Sequence, residues 1–202
     1  MNSILNINRY VNFMYLIIIE GTDNIGKDTL ISRLIEDFET VTLIHCGSPK
    51  CICFTSHEQD IKFIKYANNI KNGLYDNTDV IIMNRSHIGE YVYGQLYRKR
   101  NANNIKTMLD KVESRLKSRS DLVIKYVQLL SSSKELRKCN DDNKSLSQGD
   151  IAKIEVEQNR FLEIFDHSLL NKIKIQINNE DEFRNSDEIY QEALNFINNK
   201  SC

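Results

Sequence analysis

Apolar residues are distributed along the chain in two alternating rhythms. Short runs rich in β-branched side chains, unbroken at residues 15–19 and 80–83 and interrupted by single polar residues elsewhere, occupy residues 15–19, 41–44, 79–83, 122–127 and 173–177. Runs of this length and type predict strands buried on both faces of a parallel sheet. Between them apolar positions recur every three or four residues, the spacing of an amphipathic helix. Leu30, Ile31, Leu34, Ile35 and Phe38 predict a helix from residue 28 onward, and Ile151, Ile154, Phe161, Leu162 and Phe165 predict another over about 150–166. Further helices are predicted over residues 58–73, about 86–99, about 104–119 and 187–197. Strands alternating with helices predict an α/β fold: a doubly wound five-stranded parallel sheet with flanking helices, whose ligands sit beyond the carboxyl ends of the strands.

Two stretches fall outside these rhythms. Residues 131–148 are polar and charged without periodicity and predict a mobile flap, while residues 1–14 carry one charge, Arg9, and predict an extension ahead of the first strand. Residues 15–202 contain no repeat and no linker, which implies one domain. The longest apolar run is far below the roughly 20 residues needed to span a bilayer, and there is no secretory leader pattern, so a soluble cytoplasmic protein is expected. A net charge of −1 and a pI near 6.4 argue against a protein built to coat nucleic acid or an anionic membrane. The five cysteines, Cys46, Cys51, Cys53, Cys139 and Cys202, are scattered and odd in number, as expected of reduced thiols. Cys51 and Cys53, near His45 and His57, match no common zinc spacing.

The segment from Gly21 to Lys27 fits G-x-x-x-x-G-K and lies between a buried strand and an amphipathic helix, the context that gives this motif its meaning. Gly21 and Gly26 let backbone N–H groups, including that of Asn24, converge on phosphate oxygens. The helix start adds its dipole, and Lys27 places a positive charge on the phosphates. The residue after the lysine is ordinarily Ser or Thr, whose hydroxyl holds Mg²⁺. Here it is Asp28, followed by Thr29. Asp28 is either a hard oxygen ligand for the metal or a cap of the helix's first turn.

Two stretches resemble the thymidylate kinases and, more broadly, the deoxynucleoside monophosphate kinases, in particular the forms carried by phages and other DNA viruses. Residues 19–29 look like the family's E-G-x-D-x-x-G-K-x-T opening, and residues 84–94, beginning Asn84-Arg85-Ser86, look like its D-R motif and the helix after it. The resemblance implies a P-loop kinase that uses ATP and Mg²⁺ to phosphorylate a small nucleotide, most simply dTMP to dTDP. For a viral source, the host cytoplasm would be its location. By position it implies that Asp23 faces the acceptor sugar, that Arg85 grips the acceptor phosphate, and that Tyr93 packs on the deoxyribose. Phe63 and Tyr66 are both candidates to stack on the base. Residues 131–148 fall where the family has a lid that brings a cation to the transferring group, and among Lys134, Arg137, Lys138 and Lys144 the choice is Arg137. For Arg85 a surface ion pair, and for Tyr93 a core aromatic, are the bland alternatives. The resemblance also extends to a homodimer, although no helical face is marked for it.

Asn84 departs from the family, whose third strand ends in an aspartate that orders the metal's water shell. With a carboxylate missing there and one present at Asp28, the expectation is a relocated charge at the metal site, with Asp28 and Asn84 both bordering Mg²⁺. The second reading is a deoxynucleoside kinase, which needs a carboxylate base near the end of the second strand, where none precedes Glu58. A third is a nucleotide-binding module without catalysis.

Overall fold

The computed structural model describes residues 13–46, 56–133, 145–147 and 150–199. Its elements run β1 (Met14–Glu20), α1 (Lys27–Ile35), β2 (Val41–His45), α2 (Ser56–Lys71), β3 (Val80–Asn84), α3 (His87–Arg98), α4 (Ala102–Lys117) and β4 (Leu122–Leu130). There follow α5 (Ile151–His167), β5 (Asn171–Gln176), the short strands β6 (Asn178–Asn179) and β7 (Glu182–Phe183), and α6 (Ser186–Asn198). The sheet has five parallel strands in the order β2-β3-β1-β4-β5, with β1 in the middle. This is the doubly wound α/β arrangement expected from the sequence.

The period-2 geometry of a strand divides β1 between two cores. Leu16 and Ile18 point to one side, where they join Tyr91, Met108, Phe161 and other residues of α2, α3, α4 and α5. Tyr15, Ile17 and Ile19 point to the other, against Leu30 and Leu34 of α1 and Tyr190, Leu194 and Ile197 of α6. Because both faces are covered, the strand is apolar without alternation, as a central parallel strand must be.

Two features were not expected. β4 continues through Gln128 to Leu130, because the buried Gln128 side chain accepts from the Tyr126 hydroxyl and donates to the Leu129 carbonyl at 3.1 Å. A polar residue with its bonds satisfied need not end a buried strand. The β6–β7 hairpin is too short and polar to carry a periodic signal.

Register fixes where the site forms. Ile19 pairs with Asn84 and His45 pairs with Asn84, so the carboxyl ends of β1, β2 and β3 lie level. No helix of the described residues is long and apolar enough to cross a membrane. Ile17 is fully buried at the centre of the sheet. Ile17→Ala is expected to lower stability by about 2–5 kcal/mol, read by denaturant unfolding, from lost burial and the cavity left behind.

Candidate active site

The loop between β1 and α1 makes its turn with backbone conformations that most side chains resist. Gly21 has φ 150°, Asn24 φ 57° and Gly26 φ 87°, and a Cβ on Gly21 would lie 2.9 Å from the Leu129 carbonyl oxygen. Gly26 is the N-cap of α1 and makes no side-chain capping bond, which leaves the first-turn N–H groups to an incoming anion. Asp28 therefore does not cap the helix, contrary to one of the two expectations for it.

Lys27 is 6% exposed and folds back onto the loop, its Nζ donating to the carbonyls of Gly21, at 3.1 Å, and Thr22. Burial pushes its pKa down to about 8, against the pull of the Glu20, Asp28 and Glu157 carboxylates. A phosphate group brought to this ammonium would favour its charged form.

At the end of β3, Asn84 Nδ2 donates to Asp28 Oδ1 at 2.6 Å. The two departures from the motif are thus in direct contact. Asn84 is 7% exposed, and its Oδ1 is buried without a hydrogen-bond partner. A carboxylate and an amide oxygen are hard donors of the kind Mg²⁺ takes, so the residues present fit that ion. Among the described residues no group of three His, Cys, Asp or Glu side chains gathers as a metal site, and Cys51 and Cys53 lie outside those residues.

Arg85 follows in the left-handed region, φ 65°, its N–H bonded to the Ile19 carbonyl at 3.1 Å. Its guanidinium pairs with Asp23 of the phosphate loop and lies over the Tyr93 ring, 5.3 Å from the centroid. Tyr93 is itself buried, stacked on Tyr97 and edge-on to Phe161; burial raises its pKa, and its hydroxyl has no hydrogen-bond partner. Asp23, Arg85 and Tyr93, far apart in sequence, thus form one group beside the loop. Phe63 lies in the core, edge-on to His87, and Tyr66 packs half-buried against the same core. Tyr93 of the Arg85 group belongs to that same core. Arg137, Lys134, Lys138 and Lys144 lie outside the described residues.

Glu20 holds this arrangement together. It is fully buried; Oε1 accepts from the Ser86 N–H at 2.6 Å, the Ser86 hydroxyl at 2.8 Å and the Gly89 N–H at 3.1 Å. Burial pushes its carboxyl pKa up, while the Ser86 bond, the Arg85 and Lys27 charges and the Gly89 bond pull it down. Its signal in the sequence was an acidic residue closing an otherwise apolar run.

A cleft of about 230 Å³ opens beside the loop, between Asn24, Gly26 and Thr29 on one side and Phe183, Arg184 and Ile189 on the other. Leu30, Leu129 and Ile177 make an apolar floor. Arg33 at its edge is held by Asp187 and lies over the Tyr190 ring, and Arg184 is held by the Gln176 carbonyl at 2.7 Å and Glu192 at 2.9 Å. Nothing in the residue pattern marks this cleft, whose lining is gathered from the loop and first turns of α1, the end of β4, Ile177, the unpredicted Phe183–Arg184 segment and the start of α6.

Strand order, glycine loop, buried lysine and the arginine after β3 together make an α/β protein whose fold is that of the P-loop kinases. No protein-family model matches the chain, and no curated protein matches it in sequence. Solved structures do match in fold. The YorR protein of Bacillus subtilis, in complex with phosphorylated GDP, superposes with a TM-score of 0.63 at 17% identity, over 90% of this chain and 95% of its own. Polyphosphate kinase 2 of Arthrobacter aurescens TC1 gives 0.63 at 17% identity, over 94% of this chain and 68% of its own. Thymidylate kinase of Candida albicans gives 0.58 at 16% identity, over 92% and 91%. At these identities the likeness is one of fold.

Two outcomes follow from the geometry. A Cβ on Gly89 would lie 3.2 Å from Glu20 Oε2, and Glu20 is pinned by three donors. Gly89→Ala is expected to cost about 1–3 kcal/mol in thermal unfolding, whereas an unchanged midpoint would show that Glu20 is free to yield. At pH 8.5 a Lys27 with a pKa of about 8 is mostly neutral, and binding a triphosphate recharges it. Calorimetry in buffers of different ionisation enthalpy should record net proton uptake at pH 8.5 that shrinks as the pH is lowered below about 8.

Proposed function

We propose that the chain is a nucleoside monophosphate kinase that transfers the γ-phosphoryl group of ATP to a deoxynucleoside monophosphate, with dTMP as the acceptor of choice. The observation that carries this reading is the Asp23–Arg85–Tyr93 group beside the Lys27 loop. It offers a phosphate-gripping guanidinium, backed by an aromatic face, next to a site for a second set of phosphates.

In this reading the loop N–H groups and Lys27 hold the donor phosphates, and Thr29 stands beside them in the cleft. Arg85 leaves Asp23 to grip the acceptor monophosphate, Asp23 turns to the sugar, and Tyr93 packs against the deoxyribose. Arg137, in the proposed lid, supplies a further positive charge. Asp28 and Asn84 hold Mg²⁺, which neutralises charge on the transferring group when bound. A monophosphate acceptor is already ionised, so the chain needs no general base, and its task is alignment of the two phosphates.

The fold neighbours include thymidylate kinases and a polyphosphate kinase, so the donor must be argued separately. A polyphosphate chain has no base to bury. The apolar cleft beside the loop, with Phe183 and Arg184 at its rim, has the character of a base site and supports a nucleoside triphosphate.

The test is ADP release from ATP with a panel of deoxynucleosides and their monophosphates. dTMP is expected to be consumed and thymidine left untouched; phosphorylation of thymidine but not dTMP would overturn the reading in favour of a nucleoside kinase, and binding of ATP with no product would favour a module without catalysis. Arg85→Lys keeps the charge but loses the planar fork, and kcat/KM for the monophosphate is expected to fall about a hundredfold, roughly 2.7 kcal/mol of transition-state binding. A loss of less than about threefold would remove Arg85 from the acceptor site.

A further inference from the structure

P-loop enzymes ordinarily divide their metal contacts between a hydroxyl following the loop lysine and a carboxylate at the end of a neighbouring strand. This chain has the two kinds of group exchanged. The carboxylate, Asp28, follows the lysine, and a neutral amide, Asn84, ends β3, with its Nδ2 donating to Asp28 Oδ1 at 2.6 Å. That bond fixes the amide. Its nitrogen is spent on Asp28, so Asn84 Oδ1 is the atom left to face a ligand, and it is buried without a partner in a residue only 7% exposed. Asp28 itself is exposed and open to an incoming ion. Two hard oxygens, one charged and exposed and one neutral and buried, are therefore linked through the Asn84 amide nitrogen beside the phosphate loop.

We infer that Asp28 and Asn84 act as one reciprocal metal site, in which the pair rather than either residue supplies the binding unit, and that it takes a divalent cation only as the complex with a nucleotide. This rests on the reading that a nucleoside triphosphate occupies the loop. The argument for the second half is one of charge. Mg²⁺ is ordinarily held by one or two carboxylates together with substrate phosphates, and keeps several waters. Here the pair offers a single carboxylate, which already shares its field with the neighbouring Lys27 ammonium. Alone it is a poor trap for a bare dication. Phosphate oxygens on the loop supply the missing negative charge, so metal and nucleotide arrive together.

Exchanging the two groups a second time keeps both the hydrogen bond and the charge. Asp28→Asn combined with Asn84→Asp should therefore restore what Asp28→Asn removes. Asn84→Asp alone sets two carboxylates against each other and should create a site for the bare ion.

Mn²⁺ serves as the probe, with free ion read by electron paramagnetic resonance and ATP affinity measured in EDTA and with saturating Mn²⁺. For the native chain, Mn²⁺ is expected to tighten ATP by about tenfold or more, with bare Mn²⁺ held no tighter than about 1 mM. D28N should lose the tenfold gain while still binding ATP in EDTA, and D28N/N84D should recover it to within about threefold. N84D should bind bare Mn²⁺ at least about tenfold tighter than the native chain, a measurement that needs no nucleotide. Retention of the full gain in D28N, no recovery in the double variant when its ATP affinity in EDTA is intact, or equal bare Mn²⁺ affinity in the native chain and N84D would each overturn the inference. A native chain that binds ATP in neither condition would instead remove the nucleotide reading itself, and the inference with it.

Discussion

A carboxylate taken out of water must find donors, and Glu20 finds three of them on the first turn of a helix more than sixty residues away. The bonds to Ser86 and Gly89 tie the end of β1 to the start of α3. Between those two points hang both halves of the site: the phosphate loop leaves β1 directly after Glu20, and Arg85 sits just ahead of Ser86. The strained backbone of Arg85 is held on one side by its N–H bond to Ile19 and on the other by the Ser86 contact with Glu20. The buried carboxylate adds to the β1–β3 pairing a second tie between the glycine loop and Arg85.

The charges around that anchor are satisfied by one another in ways a ligand can replace. Lys27 donates to loop carbonyls, and Arg85 is paired with Asp23. Buried polar atoms without partners include Glu20 Oε2, Thr22 Oγ1, Asn84 Oδ1 and Tyr93 Oη, all on the loop or on the segments facing it. Unsatisfied groups are costly elsewhere in a protein, and their concentration here, two hydroxyls and two acceptor oxygens, leaves bonding capacity for a polar occupant.

Much of the fold was legible because parallel sheets leave a plain trace. β1 and β3 are covered on both faces, so their residues are apolar up to the last one, Glu20 in β1 and Asn84 in β3, and the helices keep one apolar stripe. Boundaries failed where chemistry rather than rhythm decided them, as at Gln128, whose polarity is met inside the sheet. Within the site, the loop was legible from spacing, and Asp23, Arg85 and Tyr93 from family resemblance. The contact between Asp28 and Asn84 was not, since nothing in a sequence says that two positions 56 apart share a hydrogen bond. Phe63 and Tyr66 show the opposite limit: an aromatic at helical spacing has the same appearance whether it packs in the core or meets a ligand. The cleft was hidden for a third reason, because its lining is gathered from α1, β4, the Phe183–Arg184 segment and α6, elements that only tertiary contacts bring together.

The strand order has a consequence for how the molecule is made. Among the described strands, β1 and β2 are synthesised before β3 but are not neighbours; β3 lies between them and pairs with both. A nascent chain therefore carries two exposed apolar strands whose direct pairing would be an error, and the correct sheet cannot assemble until the residues up to Asn84 have emerged. Sheet closure thus waits on a long-range insertion, the kind of step that makes folding slow and leaves edges open to other chains. Since Asn84 is also the residue that meets Asp28, the same event that ends this vulnerable interval brings the two halves of the proposed metal site together.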